Sequence, residues 1–105
     1  MQLKNLFQID IDAGVEVYKM AKNGILLDVR TAQEYAQGHI PGSRNIDVQS
    51  IKKAKSVITD LRTPLFVYCH SGARSSSAVS VLKSMGYTNV NNIGGIMGYA
   101  GKTVR

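Results

Sequence analysis

The chain has 105 residues, 44% of them hydrophobic, which suits one globular domain with one core and leaves no stretch of low complexity to treat as linker. No run reaches the roughly 18 consecutive apolar residues of a membrane helix, and "MQLKNLFQIDID" lacks the apolar region and cleavage site of a signal peptide, so a cytoplasmic location is expected. Thirteen Lys and Arg against seven Asp and Glu give a formal charge of +6, a balance that favours anionic partners, but the lysines are scattered and no nucleic-acid motif accompanies them.

In chain order, Leu6–Ile9 reads as a first strand. Ala13, Val17, Met20 and Ala21 then fall on one helical face, closed by Asn23-Gly24. Ile25–Val29 is apolar enough for a strand covered on both sides, interrupted only by Asp28. Thr31 and Glu34 form a capping box that starts a short helix, Gly38 stops it, and Pro41-Gly42 predicts a turn before a brief strand at "RNIDV". Ile51, Ala54, Ile58 and Leu61 mark another amphipathic helix. Leu65–Cys69 is the strongest strand, and Ala78, Val81, Leu82 and Met85 face one side of the helix after it. Val90–Ile93 is a weak last strand, followed by a short helix and a tail. Five short strands alternating with helices predict an α/β fold, a mainly parallel sheet with helices on both faces, in one domain over residues 1–105 with its core at about 6–101. In such sheets ligands bind at the carboxyl ends of the strands. Cys69 stands at one such end and Asp28 and Arg30 at another.

Cys69 is the only cysteine, so an intramolecular disulfide and a resolving thiol in the same chain are both excluded. A lone cysteine at a strand end is ordinarily a small buried hydrophobe. Here it is followed by "HSGARSSS", which has no large apolar side chain, and the next helix begins within a few residues. Gly72 allows a positive φ. Several N–H groups before the helix therefore lack helical partners and can converge on one point, where the helix dipole adds positive potential. Such a cradle, with Arg74 nearby, favours a thiolate and any anion near it. Ser71, Ser75 and Ser76 can donate to that anion or cap the helix. Four residues separate Cys69 from Arg74, where cysteine-based phosphatases have five, and Ser75 stands where they need arginine. The tighter ring suits a sulfur atom better than a tetrahedral phosphate.

The loop "CHSGARS" resembles the active loop of the rhodanese family, and "LLDVRTAQEYAQGHIPGSRNI" is similar to the family's other hallmark. The two lie in the family's order, and the paired glycines Gly94-Gly95 match as well. The resemblance implies a rhodanese-like domain with a five-stranded parallel sheet and thiosulfate sulfurtransferase activity of ping-pong type. Cys69 would carry a persulfide, and the amides of His70, Ser71, Gly72, Ala73, Arg74 and Ser75 would form the anion-binding loop. Arg74 would anchor the loop or the donor. Asp28 and Arg30 match the family's D-V-R segment, where a structural role, with Arg30 paired to Glu34, is favoured over contact with substrate. Arg44 lies near the family's entrance region and could attract the donor. His39 is expected to pack within its loop. Two positions depart from the family: His70 follows the cysteine where a cation is common, and Tyr99 stands in a segment where many members carry tryptophan.

The expected partners are a small sulfur anion such as thiosulfate and an external acceptor: a thiol, cyanide or a sulfur-accepting protein. No cofactor, metal, nucleic acid or membrane is expected, and the chain is expected to be a monomer or weak dimer. The alternatives are a phosphatase or arsenate reductase on the same fold, and a non-catalytic sulfur-carrier or regulatory domain.

Overall fold

The computed structural model describes residues 10–105. Their elements run α1 (Ile11–Met20), β1 (Ile25–Asp28), α2 (Ala32–Gln37), β2 (Arg44–Asn45), a 3-10 segment (Val48–Lys53), α3 (Ala54–Val57), β3 (Leu65–Cys69), α4 (Ala73–Ser84), β4 (Val90–Gly95) and a 3-10 turn (Ile96–Gly98). Among the described residues the sheet has four strands in the order β2-β1-β3-β4, every neighbouring pair parallel. The strand expected at Leu6–Ile9 lies outside the described residues. No helix among them is long and apolar enough to cross a membrane.

Strand alternation divides the core in two. Leu65, Val67 and Cys69 of β3 join Leu27, Val29, Ile51, Ala54, Ile58, Ala78 and Leu82 on the face covered by α4 and α3. Phe66 and Tyr68 point the other way and join Ile11 and Val15 of α1 with Leu26, Ile40 and Ile93. This alternation decides the chemistry, because it aims Cys69 at the start of α4. The helix axis places Ser75, Ala78 and Leu82 on the same buried side.

Two expected faces differ. In α1 the buried side is Ile11 and Val15, with Tyr18 and Ala21 packed beside them, while Val17 and Met20 are 56% and 87% exposed. Two apolar stripes overlap in this helix. The one that wins also carries Gly14, where an added Cβ would press on the Ile93 side chain, so only this face lets the helix approach β4 closely. The second difference is the expected helix through Leu61. It is a 3-10 segment, non-helical at Ser50, followed by a single turn of α3. Ile51, Ala54 and Ile58 are buried as expected, but the chain then turns at Asp60, whose carboxylate and carbonyl accept the Arg62 and Thr63 N–H groups at 2.9 and 3.1 Å. That local bonding competes with helix continuation, and Leu61 packs on the core from the turn.

Candidate active site

β3 ends at Cys69 and α4 begins at Ala73, so only His70, Ser71 and Gly72 connect them. Gly72 makes so short a connection possible, with φ at +107° in the left-handed region. Arg74 and Ser75 therefore belong to the first turn of α4, and the cradle is half loop and half helix N-terminus. The Gly72 N–H donates to Cys69 Sγ at 3.0 Å, and the Ser75 hydroxyl lies 3.5 Å from it. Burial pushes the thiol up, but the Ser75 hydroxyl and the N–H groups of Ser75, Gly72 and Ser71 outweigh it, and the net shift is downward. Cys69 and Ser75 are fully buried, whereas His70 and Ser71 are exposed.

The floor under this loop is Gly94-Gly95. A Cβ at Gly95 would collide with the His70 carbonyl oxygen and lie 2.6 Å from Ser71 Cα, and one at Gly72 would sit 3.7 Å from Gly94 Cα. The Met97 N–H donates to the same His70 carbonyl at 3.2 Å and ties the loop to the segment after β4.

The remaining expected residues separate into two groups. Arg74 does not point a free guanidinium at the sulfur. It donates to both Glu34 oxygens, at 2.7 and 3.0 Å, and so ties the start of α4 to α2. The Arg74 guanidinium, helped by the Thr31 N–H and hydroxyl, holds the Glu34 carboxyl down at about 2. Glu34 also closes the expected capping box, accepting the Thr31 N–H at 3.0 Å while the Thr31 hydroxyl accepts the Glu34 N–H at 3.2 Å. Contrary to the expectation from the sequence, Arg30 is not paired with Glu34, whose two oxygens are taken by Arg74. It is buried and grips Asp28, Nη2 donating to Oδ2 at 2.7 Å and Nε to both oxygens at 3.0 Å, and Nη2 also donates to the Gly38 carbonyl at 2.7 Å. Its guanidinium lies over the Tyr68 ring, on the side of the sheet away from Cys69. Arg44 is exposed on the edge strand β2, in register with Leu27, two strands from Cys69. His39 packs in its loop, stacked on Tyr35 and bridged to Val104. Tyr99 packs into the α1-side core.

Two further residues, Asn45 and Asn92, hold the site together. Asn45 donates from Nδ2 to the Asp28 and Arg30 carbonyls, both at 3.0 Å, and locks the D-V-R segment to the sheet edge. Asn92 meets Ser75 beside the sulfur, its Oδ1 accepting from the hydroxyl at 2.8 Å. Asn45 could have been found as the asparagine of the second hallmark. Asn92 carries no periodic or motif signal. Among the described residues no three His, Cys, Asp or Glu side chains converge in a way that could hold a metal ion.

A cysteine held at the carboxyl edge of a parallel sheet, beneath N–H donors at a helix N-terminus, defines an α/β domain whose thiol sits in a site that favours its anion. Residues 14–102 match the rhodanese-like domain family, and the chain belongs to it. It is similar to a thiosulfate sulfurtransferase of Escherichia coli, PspE, at 37% identity over 67% of this chain and 68% of the relative. It is also similar to the uncharacterized protein YqhL of Bacillus subtilis, at 35% identity over 95% of this chain and 75% of the other. Among solved structures, one described as a rhodanese with anions from E. coli superposes with a TM-score of 0.72 at 34% identity, covering 78% of this chain and 98% of that one.

Proposed function

We propose that the protein is a sulfurtransferase that carries sulfane sulfur on Cys69. The thiolate attacks the outer sulfur of thiosulfate or of a persulfide donor. With thiosulfate, the new bond joins Sγ to that sulfur, the S–S bond of the donor breaks, and its electron pair leaves with sulfite. The cysteine persulfide anion then faces the same N–H groups that stabilised the thiolate. A nucleophile, either cyanide, a thiol or a sulfur-accepting protein, attacks the outer sulfur and releases the Cys69 thiolate. With one cysteine in 105 residues the acceptor comes from outside the chain.

The observation that carries this reading is the convergence of donors from Gly72, Ser71 and Ser75 on one buried sulfur, with no carboxylate on that atom among the described residues. Arg74 being committed to Glu34 weighs against a phosphatase, whose loop needs a guanidinium free for phosphate. The name of the relative PspE, a thiosulfate sulfurtransferase, supports sulfur transfer as the chemistry. The buried thiol favours small donors over bulky ones.

Mass spectrometry after incubation with thiosulfate tests the reading. Wild type is expected to gain about 32 Da, one sulfur atom on the nucleophile, to lose it on addition of cyanide, and Cys69→Ser to gain nothing. An unmodified wild type with no thiocyanate formed would sink the proposal.

A further inference from the structure

Ser75 has one hydroxyl proton and three partners within reach: the hydroxyl donates to Asn92 Oδ1 at 2.8 Å or to the Gly72 carbonyl at 3.0 Å, and its oxygen accepts from Cys69 Sγ at 3.5 Å. Asn92 is the nearest of the three. Its amide orientation is set independently, because Oδ1 also accepts the Gly94 N–H at 3.0 Å and Nδ2 faces the Gly72 carbonyl at 3.4 Å. The backbone explains why it stands there. Asn92 is in register with Val67, on the Cys69 side of the sheet, and an irregularity between Val67 and Tyr68 pairs Tyr68 with Gly94 and Cys69 with Gly95.

We propose that Asn92 is a positioning residue that competes with the Cys69 sulfur for the single proton of Ser75. While Cys69 is a thiol, its S–H points at Ser75 Oγ and the Ser75 O–H donates to Asn92. When the thiol loses its proton to solvent, the Ser75 O–H turns to the sulfur. Asn92 keeps the Gly94 N–H, so its carbonyl is not left bare. Asn92 therefore restrains thiolate formation through Ser75, while the loop amides promote it. The charged and titratable groups around the site do not take part in this exchange. From β1 and its continuation come Asp28 and Arg30, paired with each other; from α2 and α4 come Glu34 and Arg74, likewise paired; His70 is exposed in the loop, Tyr68 points to the other face, and β4 presents none.

The inference deepens the proposed role of Cys69 and rests on it, but its test reads the thiol alone and needs no sulfur transfer. Thiolate absorbance at 240 nm is titrated on the full chain, each variant being corrected with its own Cys69→Ser counterpart. Asn92→Ala is expected to move the midpoint down by about half to one pH unit, the worth of one hydrogen bond. The same substitution in a Ser75→Ala background is expected to move nothing. A midpoint that stays or rises in the single variant, or that falls equally in both backgrounds, overturns the proposal. A purely structural Asn92 would loosen the loop and raise the midpoint. Asn92→Asp keeps the shape and both acceptor contacts if the alanine variant fails to fold. It is expected to raise the midpoint more with Ser75 present than in the Ser75→Ala background, and equal rises would overturn the idea.

Discussion

The two faces of the sheet each bury a polar network, and they are built on opposite plans. On the α1 side, Asp28, Arg30, Tyr68, Ser43 and Ile40 satisfy one another: the carboxylate is filled by Arg30, and the Tyr68 hydroxyl accepts the Ile40 N–H and donates to Ser43, both at 3.1 Å. On the α4 side, several donors converge on one sulfur that needs none of them as a neutral thiol. A closed network can only hold its shape, because every group already has its partner. A network with surplus donors of one sign is poised for a charge that arrives later. The difference separates scaffold from site more sharply than burial does, since Asp28, Ser75 and Cys69 are all fully buried.

The hardest way to break the closed network is to remove its acid. Asp28→Ala leaves the buried Arg30 guanidinium unpaired and is expected to cost about 3–5 kcal/mol, read as a large fall in the urea midpoint. In whatever fraction stays folded, the Cys69 titration midpoint should be unchanged, because Arg30 lies on the other face. A cost below about 1 kcal/mol would mean that the pair is dispensable.

The open network is broken from its floor. Gly95 has an ordinary extended backbone, φ −123° and ψ 138°, so contact is the only obstacle to a side chain there. Gly95→Ala would push His70 and Ser71 off their seat and displace the amides from the sulfur. Misplacement on that scale is expected to slow the proposed persulfide formation on the order of 10²-fold, with a stability loss of about 1–3 kcal/mol from overpacking. Wild-type rates in a folded Gly95→Ala protein would show that the loop does not need this floor.

What the sequence disclosed follows the range of the interactions. The thiol, the glycine that turns the loop, the helix start and the Thr31–Glu34 capping box are all local, and spacing alone reveals them. The α1 face is ambiguous because two apolar stripes share one helix, and only the approach to Ile93 selects between them. Arg30 takes Asp28, and Glu34, the partner expected for Arg30, goes to Arg74 instead, because Glu34 and Arg74 are 40 residues apart and only the folded sheet brings them together. Asn92 is hidden for a related reason: its place beside Ser75 depends on β4 lying next to β3 with Asn92 opposite Val67, a long-range pairing that no local pattern announces.

The smallest effect tests whether the two networks are mechanically joined. Glu34 is the link, since its helix follows the D-V-R segment and its carboxylate holds the start of α4. Glu34→Gln retains an oxygen for the Thr31 N–H, so the capping box survives while the ion pair is lost. Both side chains are about one-third exposed (31% and 38%), so solvent screening limits the expected loss at neutral pH to about 1 kcal/mol. The pH dependence carries the sharper signature. The Glu34 carboxyl is held at about 2 in the folded protein against 4.5 ordinarily, so the stability from its charge is complete above about 4.5 and disappears as pH falls through about 2. The gap between wild type and Glu34→Gln in urea unfolding should therefore be open at pH 7 and nearly closed at pH 2. A gap that ignores pH would mean that the glutamine acts through packing, and that α2 and the sulfur loop are neighbours without an electrostatic tie.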